Sequence, residues 1–159
     1  MFVFEDPETM RFFLLLSRLF ALGLAGWAAW QDWQSLELPL SLTVPAALIA
    51  IAGAGLFGDG WGSALLGAAA GFGALKTAQI LARLRHKKEC LGSGDAILML
   101  SLGALTGLPG LPWALGLALV SALIVAKACR RAGQARSEKI PFGPFLWAGS
   151  ILAGLRGWL

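Results

Sequence analysis

The amino-acid sequence predicts an all-α membrane protein, a polytopic bundle of about six transmembrane helices. Of the 159 residues, 57% are hydrophobic and 14% are charged, whereas soluble domains carry about 25% charged residues. The mean hydropathy is +0.72, and several apolar runs are long enough to cross a hydrocarbon core of roughly 30 Å. We therefore expect one transmembrane domain over residues 1–159, lying in a lipid bilayer, with no second globular domain.

Six apolar runs define the predicted helices, with short polar or proline-rich breaks between them. The breaks include a tight turn at residues 58–60 and a proline-rich turn at residues 108–112. The fourth run is short for a full crossing. The predicted helices cover residues 11–31, 40–57, 61–84, 95–106, 113–128 and the stretch that follows residue 144 to near Leu159.

Lysine and arginine concentrate in two of the predicted loops, residues 85–90 and 130–139. The positive-inside rule places both loops in the cytoplasm. The loop after the first helix is then cytoplasmic by parity, and both termini are periplasmic, which agrees with the acidic amino-terminal tail. We interpret the formal charge of +4 as a topology signal, and we expect no nucleic-acid partner and no cleavable signal peptide.

The two cysteines, Cys90 and Cys129, lie far apart in the sequence and beside the basic clusters. We interpret them as reduced thiols on the cytoplasmic side. Their spacing fits neither a disulfide framework nor a set of metal ligands. The expectation is therefore no metal and no other cofactor.

Two aspartates lie at ends of predicted helices. Asp95 leads directly into an apolar run, just after Gly92 and Gly94, which would let the backbone kink or another segment approach closely. A carboxylate costs roughly 2.5–3.5 kcal/mol at the centre of a membrane helix and less near the interface, so its presence suggests a function. Asp32 lies in the polar break after the first helix. The predicted topology places both aspartates at the cytoplasmic face, provided that an even number of crossings separates them.

Two carboxyl groups that share a site hold one proton between them and titrate as a unit. The ionised group can activate water while the protonated group polarises a carbonyl, which is the chemistry of aspartic peptidases. The alternative is that both aspartates only cap helices or face an interface. Spacing alone favours this alternative for Asp32 and leaves Asp95 open.

Three stretches of the sequence resemble the type IV prepilin peptidases, which are membrane aspartyl enzymes. In the first stretch, Asp32 is followed seven residues later by Pro39. The second is the Gly-x-Gly-Asp signature at residues 92–95, and the third is Ile-Pro-Phe-Gly-Pro at residues 140–144. The three occur in the order typical of the family, and each is predicted to lie at the cytoplasmic face.

The resemblance implies that Asp32 and Asp95 are the catalytic pair. It implies a location in the bacterial inner membrane, with the active site facing the cytoplasm. The substrate would be a type IV prepilin or a type II secretion pseudopilin, cleaved between its short basic leader and its hydrophobic helix. The residues that would shape the site are Pro39, Gly92, Gly94, Phe142, Gly143 and Pro144.

Some positions depart from the family pattern. Gln34 and Ile97 stand where many members have arginine and lysine, and Leu38 replaces an isoleucine. These departures motivate a second hypothesis, a catalytically silent scaffold for pilus or secretion-system assembly. Bifunctional members also carry a cysteine-rich cytoplasmic region linked to N-methylation. The sequence has no Cys-x-x-Cys pair, so we expect a short form without methyltransferase activity or zinc.

Three charged residues have alternative interpretations. Glu37 could attract a basic leader or could simply be solvated. Lys76 could snorkel to the interface, or could shift the pKa of a nearby catalytic carboxylate. A third hypothesis, a small transporter with Asp32, Lys76 and Asp95 as a proton relay, requires polar residues throughout the membrane depth, and the chain has few. Arg18 interrupts the first helix, where snorkelling or pairing inside the bundle is expected. The sequence leaves the particular substrate and the oligomeric state open.

Overall fold

The computed structural model describes residues 6–58, 60–86, 92–131 and 141–158. Residues 87–91 and 132–140, which hold Cys90 and much of both predicted basic loops, lie outside this part of the chain. The described residues form a bundle of five helices, and four of these are long and apolar enough to cross a membrane. The expectation of a polytopic helical bundle is confirmed. The helices are α1 (Pro7–Ser35), α2 (Leu40–Phe57), α3 (Trp61–His86), α4 (Ser93–Arg131) and α5 (Gly143–Trp158).

The first helix continues about one turn beyond its predicted end at residue 31. It ends where Leu36 adopts a left-handed backbone conformation with φ 57°. The Leu36 N–H donates to the carbonyl oxygen of Asp32 over 2.9 Å, a common way for a helix to terminate. Asp32 therefore lies in the last turn of α1 rather than in the loop that the polar sequence predicted.

The fourth and fifth predicted helices form one element, α4, which is interrupted at Gly107 with φ 63° and ψ 178°. The Met99 carbonyl oxygen and the Leu111 side chain would both contact a Cβ on Gly71, at 2.8 and 3.2 Å. In a straight helix these two residues would lie about 18 Å apart. The chain therefore bends back sharply at Gly107, and Pro109 and Pro112 follow the bend.

Glycines on α3 and α4 bring the two helix backbones into direct contact. A Cβ built on Gly67 would collide with the Gly103 carbonyl oxygen, and a Cβ on Gly103 would collide with that of Gly67. Small residues permit such close packing between membrane helices. The contact also fixes the antiparallel register, since Gly67 lies beside Gly103 while Gly71 lies beside Met99.

We expect Gly67→Ala and Gly103→Ala each to destabilise the protein by about 1–3 kcal/mol, the usual cost of overpacking. The obstacle in each case is a backbone carbonyl, which cannot rotate away. Gly73→Ala is the matched control because a Cβ there meets nothing within 4 Å. Thermal unfolding in detergent should show lower midpoints for the first two variants only. An equal change in all three would contradict the proposed role of the contact.

The core is centred on α4, which packs against each of the other four helices. The largest fully buried apolar side chains include Leu98, Met99 and Leu102 of α4, with Leu146 of α5. Large apolar side chains such as Leu19, Phe20 and Leu48 are exposed on the outer faces of α1 and α2, as expected for a surface that contacts lipid. The central helix therefore fixes where Asp95, at its beginning, lies relative to the other helices.

Candidate active site

Asp32 is buried at the carboxyl-terminal end of α1, with 6% of its surface exposed. Its Oδ2 atom accepts a hydrogen bond from the Gly143 N–H over 3.0 Å. Gly143 is the first residue of α5, and the N–H groups of a first turn have no partner within their own helix. The positive end of the helix dipole also favours a carboxylate at this position.

The close approach of α5 to Asp32 depends on the absence of a side chain at residue 143. A Cβ on Gly143 would lie 2.9 Å from Oδ2 and 3.4 Å from Cβ of Asp32. The next residue, Pro144, has no N–H to offer. The single glycine thus supplies both the donor and the space.

Asp95 lies in the first turn of α4, with 5% of its surface exposed. Its Oδ2 atom accepts a hydrogen bond from the Gly92 N–H over 3.2 Å. An acidic residue that reaches back from the third helical position to the N-cap N–H stabilises the start of a helix. The capping role considered from the sequence is therefore present, and it occupies one oxygen of the carboxyl group. The Asp95 and Asp32 carboxyl groups lie within electrostatic range of one another.

The connection between α1 and α2 packs directly on the start of α4. A Cβ on Gly94 would lie 2.5 Å from Cβ of Leu38, so no larger residue fits at position 94 without movement. Pro39 is the N-cap of α2, and its carbonyl oxygen accepts hydrogen bonds from the N–H groups of Leu42 and Thr43. The glycine next to Asp95 thereby connects the two motifs that carry the aspartates.

The remaining predicted site-shaping residues lie at the start of α5. The Phe142 carbonyl oxygen accepts the N–H groups of Phe145 and Leu146, both over 3.1 Å, and its ring packs against the core. Pro144 is half-buried in the first helical turn, where a proline costs no hydrogen bond. These two residues orient α5 and so place the Gly143 N–H.

Glu37 and Lys76 differ in their surroundings. Glu37 is exposed in the connection between α1 and α2. The Lys76 Nζ donates to Gln79 Oε1 over 3.3 Å and lies 5.8 Å from the centroid of the Phe72 ring. Both partners belong to α3, and neither aspartate is among the contacts that the structure describes for Lys76.

Two residues near the aspartates received no role from the sequence. Leu38 was considered only as a departure from the family pattern, although it contacts Gly94. Gln79 has 6% of its surface exposed and, given the register of α3 against α4, lies at the same end of the bundle as Asp95. The signal for Gln79 was its spacing, since Gly71, Leu75 and Gln79 recur every four residues on one helix face.

The arrangement provides two buried carboxyl groups in electrostatic range, each held by a backbone N–H. Such a pair can exchange a proton with water and with a carbonyl group. The described part of the chain contains no group of three histidine, cysteine or acidic side chains that could bind a metal ion. The absence of a metal stays a prediction.

The model of the type IV leader peptidase family matches residues 19–127. The chain belongs to the type IV leader peptidase family. The matched range includes Asp32 and Asp95 and extends from α1 into the part of α4 that follows Gly107. The resemblance identified from the three sequence motifs is confirmed.

Several curated proteins named prepilin leader peptidase/N-methyltransferase are similar to the chain. The protein of Xanthomonas campestris is 43% identical over 84 residues, covering 52% of this chain and 29% of the relative. That of Burkholderia pseudomallei is 37% identical over 119 residues, covering 70% and 37%. That of Bacillus subtilis is 38% identical over 100 residues, covering 62% and 38%. The chain thus spans less than two fifths of each relative. No solved structure shows significant similarity.

Proposed function

We propose that the protein is a membrane aspartic endopeptidase that removes the short basic leader from type IV prepilins or type II secretion pseudopilins. The observation that carries the proposal is the pair of buried carboxyl groups of Asp32 and Asp95, in electrostatic range of one another. Family membership and the names of the relatives support the choice of substrate.

In the proposed reaction, one carboxylate removes a proton from a water molecule as the water oxygen attacks the scissile carbonyl carbon. The other carboxyl group donates its proton to the carbonyl oxygen, which gives a neutral tetrahedral intermediate. When the C–N bond breaks, a proton passes to the leaving amine and the acid product forms. The N–H groups of Gly143 and Gly92 hold the two carboxyl groups in place throughout.

We propose six membrane crossings, with the two limbs of α4 on either side of Gly107 counted separately. Both termini would then be periplasmic. The basic residues before α4 and before α5 favour a cytoplasmic position for these two helix starts. Asp32 and Asp95 would consequently lie at the cytoplasmic face, where water and the substrate leader are both available, while the hydrophobic helix of the substrate packs laterally in the bilayer.

The experiment that tests the proposal is cleavage of a purified prepilin or pseudopilin by the full chain in detergent or in vesicles. Mass spectrometry should detect the free leader and the shortened pilin, with the new terminus at the start of the hydrophobic helix. The silent-scaffold alternative rests on Gln34 and Ile97. It predicts that the same substrate binds but remains intact, so one assay separates the two hypotheses.

We expect Glu37→Gln to raise the KM for a leader with several basic residues by about two- to fivefold at low salt, because an exposed ion pair contributes at most about 1 kcal/mol. The kcat should not change, since Glu37 transfers no proton in the proposed reaction. Glu8→Gln, which removes an exposed acid at the opposite end of α1, is the control. The difference should vanish at high salt. A changed kcat would contradict a purely attractive role.

A further inference from the structure

Trp147, in the second turn of α5, joins this helix to α1. Its indole N–H donates to the carbonyl oxygen of Leu22 over 3.0 Å. Trp147 follows Gly143 by four residues and therefore lies on the same face of α5, one turn further from the start of the helix. The face of α5 that brings the Gly143 N–H to Asp32 thus makes a second hydrogen bond to the same partner helix.

The indole reaches the Leu22 carbonyl because residue 26 of α1 is glycine. A carbonyl inside an α-helix accepts the N–H of the residue four positions later, and its other lone pair can accept a second donor. A Cβ on Gly26 would lie 3.0 Å from two carbon atoms of the Trp147 ring and 3.1 Å from its Nε1. An alanine at position 26 would therefore displace the ring from α1.

The opposite side of α5 packs on α4 through backbone atoms. A Cβ on Gly149 would collide with the carbonyl oxygen of Ala114 and would lie 3.1 Å from the backbone N atom of Ala118. This contact fixes α5 against α4 but leaves the helix free to tilt about it. The distance between the first turn of α5 and α1 therefore depends on the side chains that lie between these two helices.

We propose that Trp147 is a positioning residue for the candidate active site. Its hydrogen bond to Leu22 holds the start of α5 against α1, so that the Gly143 N–H reaches Asp32. A hydrogen bond between membrane helices adds a directional constraint to the van der Waals packing that otherwise holds them together. The catalytic part of this inference rests on the proposed peptidase function, whereas the structural part can be measured without a substrate.

The substrate-free test measures hydrogen exchange of the Gly143 N–H by NMR, on the full chain labelled with ¹⁵N-glycine in detergent micelles. Trp147→Phe keeps an aromatic ring and removes the N–H donor. It should speed the exchange of the Gly143 N–H by about fivefold, the effect expected from one hydrogen bond between membrane helices. Gly26→Ala should have a similar effect, and it supplies the test if Trp147→Phe does not fold.

Two matched controls separate this role from general damage to the packing. Gly23→Ala adds the same methyl group to α1 at a position where nothing lies within 4 Å. Trp61→Phe removes the same N–H from a tryptophan that also packs on a glycine, Gly55 of α2, at the end of the bundle away from the aspartates. Both should leave the exchange of the Gly143 N–H unchanged. Equal acceleration in all four variants would overturn the proposal, as would an unchanged rate in a folded Trp147→Phe.

A double-mutant cycle tests the role of Trp147 in prepilin cleavage. Trp147→Phe should lower kcat by about fivefold with little change in KM, because the indole faces α1. In a Gly143→Ala background, where the donor is already displaced from Asp32, the same substitution should cause little further loss. An equal loss in both backgrounds would overturn the positioning role. Absence of cleavage by the wild type would overturn the proposed function alone, since the exchange rates test Trp147 independently.

Discussion

Replacing Asp32 or Asp95 with asparagine is expected to slow leader cleavage by about 10²–10⁴-fold, the usual contribution of general acid–base catalysis. Asparagine has nearly the same shape, and its amide oxygen can still accept the N–H of Gly143 or Gly92. The fold should therefore be retained while the proton-transferring group is lost. Single-turnover cleavage of a prepilin, quantified by mass spectrometry, measures the effect.

Because two carboxyl groups that share a proton act as a unit, the effects of the two substitutions should not add. The double variant Asp32→Asn with Asp95→Asn should be about as slow as the slower single variant. Asp6→Asn removes an exposed acid at the opposite end of α1 and should leave the rate unchanged. If either single variant cleaves at the wild-type rate, the two residues do not form the catalytic pair.

Gly143→Ala is expected to reduce kcat/KM by about 10²-fold, since a small displacement of a catalytic group can have an effect of this size. The new Cβ would lie 2.9 Å from Asp32 Oδ2, and the carboxyl group would have to rotate away from the Gly143 N–H. That oxygen is the end of a side chain, so the fold can accommodate the change. Steady-state kinetics measures the loss of kcat/KM, and thermal unfolding of the same sample checks that the fold is retained.

The comparison with two other glycines makes this prediction specific. Gly73→Ala should preserve both activity and the unfolding midpoint, because its surroundings are open. Gly67→Ala should lower the unfolding midpoint, because the atom that its Cβ would meet is the backbone carbonyl oxygen of Gly103. Gly143→Ala alone should combine a normal midpoint with low activity. Normal activity in Gly143→Ala would mean that its N–H does not hold Asp32 in the productive position.

The sequence predicted the helical class and the family, because these follow from hydropathy and from short local motifs. The same motifs singled out Asp32 and Asp95, but their burial is known only from the structure. It misplaced the end of α1, since the polar stretch after residue 31 appeared to be a loop. The structure shows that the Leu36 N–H closes one further helical turn on the Asp32 carbonyl. A terminating contact of this kind depends on backbone conformation, to which hydropathy is insensitive.

The contacts around the aspartates could not be predicted from the sequence, for a different reason. Gly143 and Asp32 are separated by 111 positions, and Leu38 meets Gly94 only through the docking of three helices. Such pairs depend on the register between helices, which the backbone contact of Gly67 and Gly103 fixes.

The hydrogen bond from Gly143 to Asp32 has a consequence for biosynthesis. Gly143 follows Asp32 by 111 positions, so a nascent chain contains both aspartates before the donor for Asp32 has been made. A partly inserted chain that lacks α5 therefore cannot hold the Asp32 carboxyl group through this hydrogen bond, although the Gly92 N–H can already hold Asp95. In the proposed peptidase, cleavage would therefore begin only after α5 has docked against α1.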